Sequence, residues 1–168
     1  MAKERQENVL VFGDYDADGV CASAIMYHAL RAFGIEAHVY IPERSDGYGL
    51  SEESIDKVFE ECQPELFITV DCGITAVEEA ALCASLGIEL VITDHHECKD
   101  VLPGAVAVVD AHRPDCTYPH KDLSGVGVAF KLAAALHGDQ MEVLRRYADM
   151  VCLGTVADVM PLTGENRV

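Results

Sequence analysis

Basic residues are scarce in this chain: 12 Lys and Arg stand against 29 Asp and Glu, a formal net charge of −17. Proteins that grip nucleic acid neutralise phosphates with Lys and Arg, so this balance argues against an ordinary nucleic-acid binder. Also missing is any CxxC pair or Cys/His zinc spacing among the seven cysteines at 21, 62, 72, 83, 98, 116 and 152. An odd number of thiols in apolar stretches such as Val20-Cys21-Ala22 and Ala81-Leu82-Cys83-Ala84 reads as buried free cysteine. That expectation implies a reducing cytoplasm. No signal peptide is expected from the opening residues, and no apolar run approaches the roughly 20 residues of a membrane span. Internal repeats and low-complexity segments are absent as well.

What is present suits a single domain: 168 residues, half of them apolar. Its acidity is compatible with a protein that gathers carboxylates around divalent metal ions. A pattern recurs along the chain: a short apolar run, then Asp or Gly, then a longer helical stretch. Strands are predicted at 8–12, 37–41, 66–70, 88–93 and 105–109, and helices at 19–33, from Ser51, at 75–86, 124–136 and 140–153. Ser51 is a good N-cap, with Glu52 and Glu53 in the first turn, and Gly87 closes the 75–86 helix. The strands are apolar throughout rather than alternating, as when helices cover both faces. The fold class expected is α/β, a three-layer α/β/α open sheet, mainly parallel, of about five strands. Strand order is not readable.

Ligands of such sheets collect beyond the carboxyl ends of the strands. Asp14, Asp16 and Asp18 follow the first strand, Asp71 the third and Asp94-His95-His96 the fourth. Carboxylates with imidazoles suit Mn²⁺, Mg²⁺ or Fe²⁺, and their number points to two ions with one bridging carboxylate. Simpler readings exist for each residue. Asp-x-Asp-x-Asp-Gly resembles the start of an EF-hand, although Ile25 stands six positions past Gly19 where that loop needs Glu. Asp71 and Asp94 could be helix caps or turn residues, and the adjacent histidines could bond within a loop. That all of these apply at one sheet edge is the less economical account.

These residues resemble the motifs of the DHH phosphoesterase superfamily. Asp94-His95-His96 matches the motif that names it; Asp14-Tyr15-Asp16-Ala17-Asp18-Gly19, Val70-Asp71-Cys72-Gly73 and Gly154-Thr155-Val156-Ala157-Asp158 match three others. His112-Arg113-Pro114-Asp115, the stretch 124–132 and Gly164-Glu165-Asn166-Arg167 resemble its RecJ exonuclease branch in particular. The resemblance implies metal ligands at Asp16, Asp18, Asp71, His95 and Asp158, with Asp71 the bridge between two Mn²⁺ or Mg²⁺ ions. Several relatives place a ligand His four residues before the middle Asp; here that position is Phe12, so one site leans on Asp14 or on water. His96 would face the substrate, with Asp94 orienting an imidazole.

The implied reaction is phosphodiester hydrolysis of single-stranded DNA from the 5′ end, by an in-line water activated between two ions. Arg113 is the candidate cation for the phosphate oxygens, the simpler reading being a surface ion pair with Asp110 or Asp115. Gly125 and Gly127, at a helix start, are candidates for phosphate contact through backbone N–H groups, although close helix packing explains them too. Tyr48, in Gly47-Tyr48-Gly49 after Arg44, is a candidate for base stacking, unless the segment is a plain turn. His28, His38, His120 and His137 read as ordinary core or surface residues.

Other functions to weigh are hydrolysis of short oligonucleotides or cyclic dinucleotides, and a metal-free interaction module. The superfamily's pyrophosphatases leave the segments after residue 110 unexplained. Members of the exonuclease branch carry a DHH-associated second domain (DHHA1) and an OB domain. The chain is therefore expected to be residues 1–168 of a longer cytoplasmic protein, without those domains. A helicase or a single-strand-binding protein is a partner to consider for that parent.

Overall fold

The computed structural model describes residues 2–167. A one-turn helix α1 (Ala2–Arg5) leads into β1 (Val9–Gly13), α2 (Ala17–Ala32) and β2 (Ala37–Tyr40). Next come a 3₁₀ turn at Arg44–Asp46, α3 (Glu52–Cys62), β3 (Leu66–Val70), α4 (Val77–Ser85), β4 (Glu89–Thr93) and β5 (Ala107–Val109). Two long helices, α5 (Gly125–His137) and α6 (Gln140–Ala157), and a second 3₁₀ turn at Gly164–Arg167 complete the described chain. Each predicted strand is present, and α6 runs four residues beyond its expected end at 153. Ser51 caps α3, its hydroxyl accepting from the Ser54 N–H at 3.2 Å.

All strand pairs are parallel, in the order β2-β1-β3-β4-β5. Winding therefore reverses after β2, which leaves a crevice beyond the carboxyl ends of β1 and β3. The two strands end in register, Gly13 beside Val70, so the residues that follow emerge side by side.

Alternate residues of the central strands feed two cores. Val9, Val11, Ile68 and Val70 pack with Ile25, Met26 and Leu30 of α2 and with α5 and α6. Leu10, Phe12, Phe67, Leu90 and Ile92 pack on the other side with Ile55 and Val58 of α3 and Ala80 and Cys83 of α4. Phe12 is fully buried and stacks with Tyr40 and Phe67, both at 5.5 Å between centroids. That packing explains the apolar ring at this position, four residues before Asp16. Cys21, Cys72 and Cys83 are buried free thiols as expected, but Cys152 is exposed. Among the described residues no helix is long and apolar enough to cross a membrane.

Candidate metal centre

The acidic residues and histidines predicted at the strand ends meet in the crevice. Three groups have ligand atoms within 4.8 Å of one another: Asp14 with Asp16 and Asp71, Asp71 with His95 and His96, and Asp18 with His95 and Asp158. Asp71 and His95 each belong to two groups, so the three form one connected cluster. His95 Nε2 lies 3.1 Å from Asp71, 3.6 Å from Asp158 and 3.8 Å from Asp18.

Long-range contacts hold these side chains. The N-terminus of α5 points two backbone N–H groups at Asp18, from Gly125 at 2.6 Å and from Val126 at 3.0 Å. The positive end of a helix stabilises a carboxylate there. A Cβ on Gly125 would stand 2.3 Å from Asp71 Oδ1, and one on Gly154 would stand 2.6 Å from Asp18 Oδ1. Both glycines therefore make room for carboxylates. Beneath them the buried hydroxyls of Ser124 and Thr155 join α5 to α6 at 3.0 Å.

Asp71 itself adopts a left-handed backbone (φ 62°), a costly conformation for a residue with a side chain. It is not the cap of α4, whose N-cap position is Ala76. Asp16 does act as a cap, accepting the Gly19 N–H at 2.9 Å, and this leaves its second oxygen to the cluster. Asp94 is the best satisfied of these carboxylates. It accepts from the N–H of Ile74 at 2.9 Å and from the N–H of His95 and the ring Nδ1 of His96, both at 2.7 Å.

The cluster fits a cation better than it fits itself. Asp14 Oδ1, Asp71 Oδ1 and His95 Nε2 are buried without a hydrogen-bond partner, although His95 and Asp71 stand so close. Buried polar atoms normally find partners, and convergent orphans mark a missing ligand. Titration behaviour agrees. Burial pushes the Asp71 carboxyl up to about 7, against the lowering effect of His95, with Asp18 adding repulsion. For His95 burial acts downward but is outweighed by Asp71, Asp18 and Asp158, which lift it to about 9. Burial likewise raises Asp14 and Asp18. Without metal, the site holds protons where it is built for positive charge. Its donors, hard carboxylate oxygens with imidazole and no thiolate, suit Mn²⁺ or Mg²⁺.

Other predicted residues fall differently. Tyr48 reaches the site between two left-handed glycines, Gly47 and Gly49. Its hydroxyl lies 3.0 Å from His96 Nδ1 and donates to the Asp71 carbonyl at 3.3 Å, while the residue remains half exposed. Gly125 and Gly127 do not leave their amides open to a phosphate: the first holds Asp18, and the second donates to the Ser124 N-cap at 3.3 Å. Arg113 takes the simpler of its two readings, pairing with Asp115 at 2.7 and 3.0 Å and donating to the Val108 carbonyl. Sequence reasoning placed Gly154 in a motif but gave it no role, and its closeness to Asp18 has no local signal. It also passed over the imidazole of His112, which faces the buried Asp110; the repeat of Asp-x-His after consecutive strands was the signal available.

The chain matches the DHH family, N-terminal domain, over residues 8–155. It is 45% identical over 168 residues to the single-stranded-DNA-specific exonuclease RecJ of Bacillus subtilis, spanning 99% of this chain and 21% of that protein. A crystal structure of exonuclease RecJ bound to manganese superposes with a TM-score of 0.85 at 39% identity, covering 99% of this chain and 42% of the other. RecJ of Thermus thermophilus in complex with Mn²⁺ gives a TM-score of 0.80 at 37% identity, over 99% and 24%. The chain thus spans about a fifth to two fifths of the length of these relatives.

Proposed function

Because the chain belongs to the DHH family, we propose that it is the catalytic part of a metal-dependent phosphodiesterase acting on single-stranded DNA from the 5′ end. One observation carries the reading: seven acidic and imidazole side chains converge around orphaned, buried atoms at the switch point of the sheet. The names of the similar proteins, exonucleases specific for single-stranded DNA, support the substrate class. Manganese and magnesium in solved relatives support a divalent ion. The seven free thiols favour a reducing, cytoplasmic setting.

We assign Asp14, Asp16 and Asp71 to one ion and Asp18, Asp71, His95 and Asp158 to a second, with Asp71 shared. Divalent ions there supply Lewis acidity, lowering the pKa of water and offsetting charge on phosphate oxygens. The chain's own residues do the rest. Asp71, held in its strained backbone, presents its carboxylate to both halves of the cluster, and the α5 amides align Asp18 and oppose the upward push of burial on its carboxyl. His96, partly exposed, gains a raised pKa from its bond to Asp94 and can donate a proton to a phosphate oxygen. Asp94 orients that ring, and Tyr48 flanks it with an exposed face available to a base. Arg113 would reach a phosphate only by leaving Asp115.

The charge of −17 favours a second statement about substrate length. Affinity for a long strand grows with the phosphates a protein neutralises, and this chain has 12 basic residues to offer. A short oligonucleotide needs little more than the metal centre. The test is Mn²⁺-dependent hydrolysis of a 5′-labelled long strand and of a dinucleotide across a salt series. We expect hydrolysis of the dinucleotide and poor processing of the long strand. No metal-dependent cleavage of either would refute the phosphodiesterase reading, and equal turnover of both would refute the length preference.

A further inference from the structure

A second Asp-x-His unit stands beside the first. β4 and β5 pair in parallel with Thr93 opposite Val109, so Asp94 and Asp110 leave neighbouring strands at the same level. The Asp94 N–H donates to the Val109 carbonyl at 3.0 Å, which ties the two loops together where they begin. In each loop the Asp accepts, through Oδ1, the backbone N–H of the His two residues on: 3.2 Å for His96 and 2.7 Å for His112. In each the imidazole Nδ1 turns toward that same oxygen, at 2.7 Å for His96 and 3.5 Å for His112.

Asp110 is 4% exposed, and its Oδ2 has no hydrogen-bond partner; nor does His112 Nδ1. Two orphaned polar atoms in one loop are costly unless a ligand or a small ring shift engages them. The imidazole itself remains partly open to solvent, at 22% of its surface. Burial raises the Asp110 carboxyl, and the nearby Asp94 adds to the effect, which places the unit within electrostatic reach of the metal centre.

Resting on the phosphodiesterase reading above, we propose that His112, oriented by Asp110, forms a second phosphate subsite for the linkage next to the scissile one. Neighbouring strands lie about 4.8 Å apart, so Asp94 and Asp110 leave the sheet one strand step apart and bring their histidines to the same edge. An imidazolium donates from both nitrogens, and one between a carboxylate and a phosphate satisfies both. A small ring shift would bring Nδ1 from 3.5 Å onto the Asp110 carboxylate, which would then fix the ring's orientation as Asp94 does for His96. A chain this acidic needs a dedicated donor for a second phosphate, and Arg113 is committed to Asp115. The ligand class is an internal phosphodiester of a short oligonucleotide.

Two substrates separate this contact from a general effect: trithymidylate, and the same molecule with an uncharged methylphosphonate at the linkage beside the scissile one. His112→Gln should lower kcat/KM on the natural trinucleotide about tenfold, the scale of one hydrogen bond to a charged group. On the methylphosphonate the loss should fall to twofold or less, because the group contacted is gone. Bis(p-nitrophenyl) phosphate, with a single phosphate, should likewise change by no more than twofold. Asp110→Asn should give the same pattern more weakly, and Mn²⁺ affinity should be unchanged in both variants. Equal losses on all three substrates, or weakened Mn²⁺ binding, would make the pair a support of the metal centre and overturn the subsite. Equal activity of variant and wild type on the trinucleotide would overturn it too. A wild-type chain that cleaves none of the three with Mn²⁺ would instead bring down the phosphodiesterase reading.

Discussion

The strand β1 and the loop and first helical turn that follow it obey opposite rules within ten residues. Val9, Leu10, Val11 and Phe12 are buried apolar side chains divided between two cores. Asp14 and Asp18 are just as buried, yet they are charged groups whose carboxyls burial pushes upward. The first region gives up water for dispersion contacts and close packing. The second gives up water for a ligand it must then attract. Core residues and site residues are equally inaccessible here, so burial alone does not separate them; the difference is whether the buried groups satisfy one another.

The largest effect should come from removing Asp71, the carboxylate assigned to both ions. Asp71→Ala is expected to lower Mn²⁺-dependent hydrolysis by about 10³-fold or more, beyond the loss of a single oxyanion-hole donor. It should also remove at least one ion from a calorimetric titration. Unchanged stoichiometry and affinity would show that Asp71 bridges nothing. In the other region, Phe12→Ala should cost about 3–5 kcal/mol in denaturant unfolding, through cavity formation between Tyr40 and Phe67. A cost below about 1 kcal/mol would mean that the aromatic stack is not the core it looks to be.

The two histidines sharpen the comparison within the site. His95→Ala should weaken Mn²⁺ binding, whereas His96→Ala should leave binding near normal and lower turnover about 10²-fold, the scale of a lost general acid. Equal loss of metal in both would remove His96 from the substrate side. Acidity probes the same point without mutation. In the metal-free protein Asp71 and His95 both bind protons more tightly folded than unfolded. The Asp71 contribution is complete below about 3.9 and is lost as pH rises through about 7; that of His95 is complete below about 6.5 and is lost through about 9. Melting temperature in chelator should therefore fall between pH 4 and pH 9, less the opposing gain from Asp94, whose lowered carboxyl adds stability above its ordinary value. Mn²⁺ should flatten or reverse that slope, because metal replaces the protons. A metal-free protein equally stable across the range would sink the idea of proton-filled ligand sites.

The smallest change tests strain at the rim. Val159, directly after Asp158, is 86% exposed with φ 58°, a poor conformation for a β-branched residue. Val159→Gly should stabilise the chain by about 1 kcal/mol in thermal melts. A loss of stability would mean that the valine side chain makes a contact worth more than the strain.

Much of this was legible because it is local. Continuous apolar runs marked strands covered on both faces, and an Asp just past the end of β1, β3 or β4 points into the crevice wherever those strands lie parallel. Residue type then restricted the chemistry, since carboxylates with imidazole select hard divalent ions. Arg113 shows where such reading stops short. Its residue type suits a phosphate, but an Asp two positions on offers a bidentate partner at no cost in chain closure.

From the sequence alone came the element pattern, the acidic and imidazole residues and the edge of the sheet where they gather, because a strand's period and its terminal Asp depend only on neighbouring residues. Tertiary structure decided the strand order and therefore the position of the crevice. It also decided that the start of α5 holds Asp18 with its amides, and that Gly154 leaves room for that carboxylate and for Val126. Gly125 and Asp18 are 107 residues apart. No local pattern encodes a bond across that distance; it exists only once α2, α5 and α6 pack against the same face of the sheet.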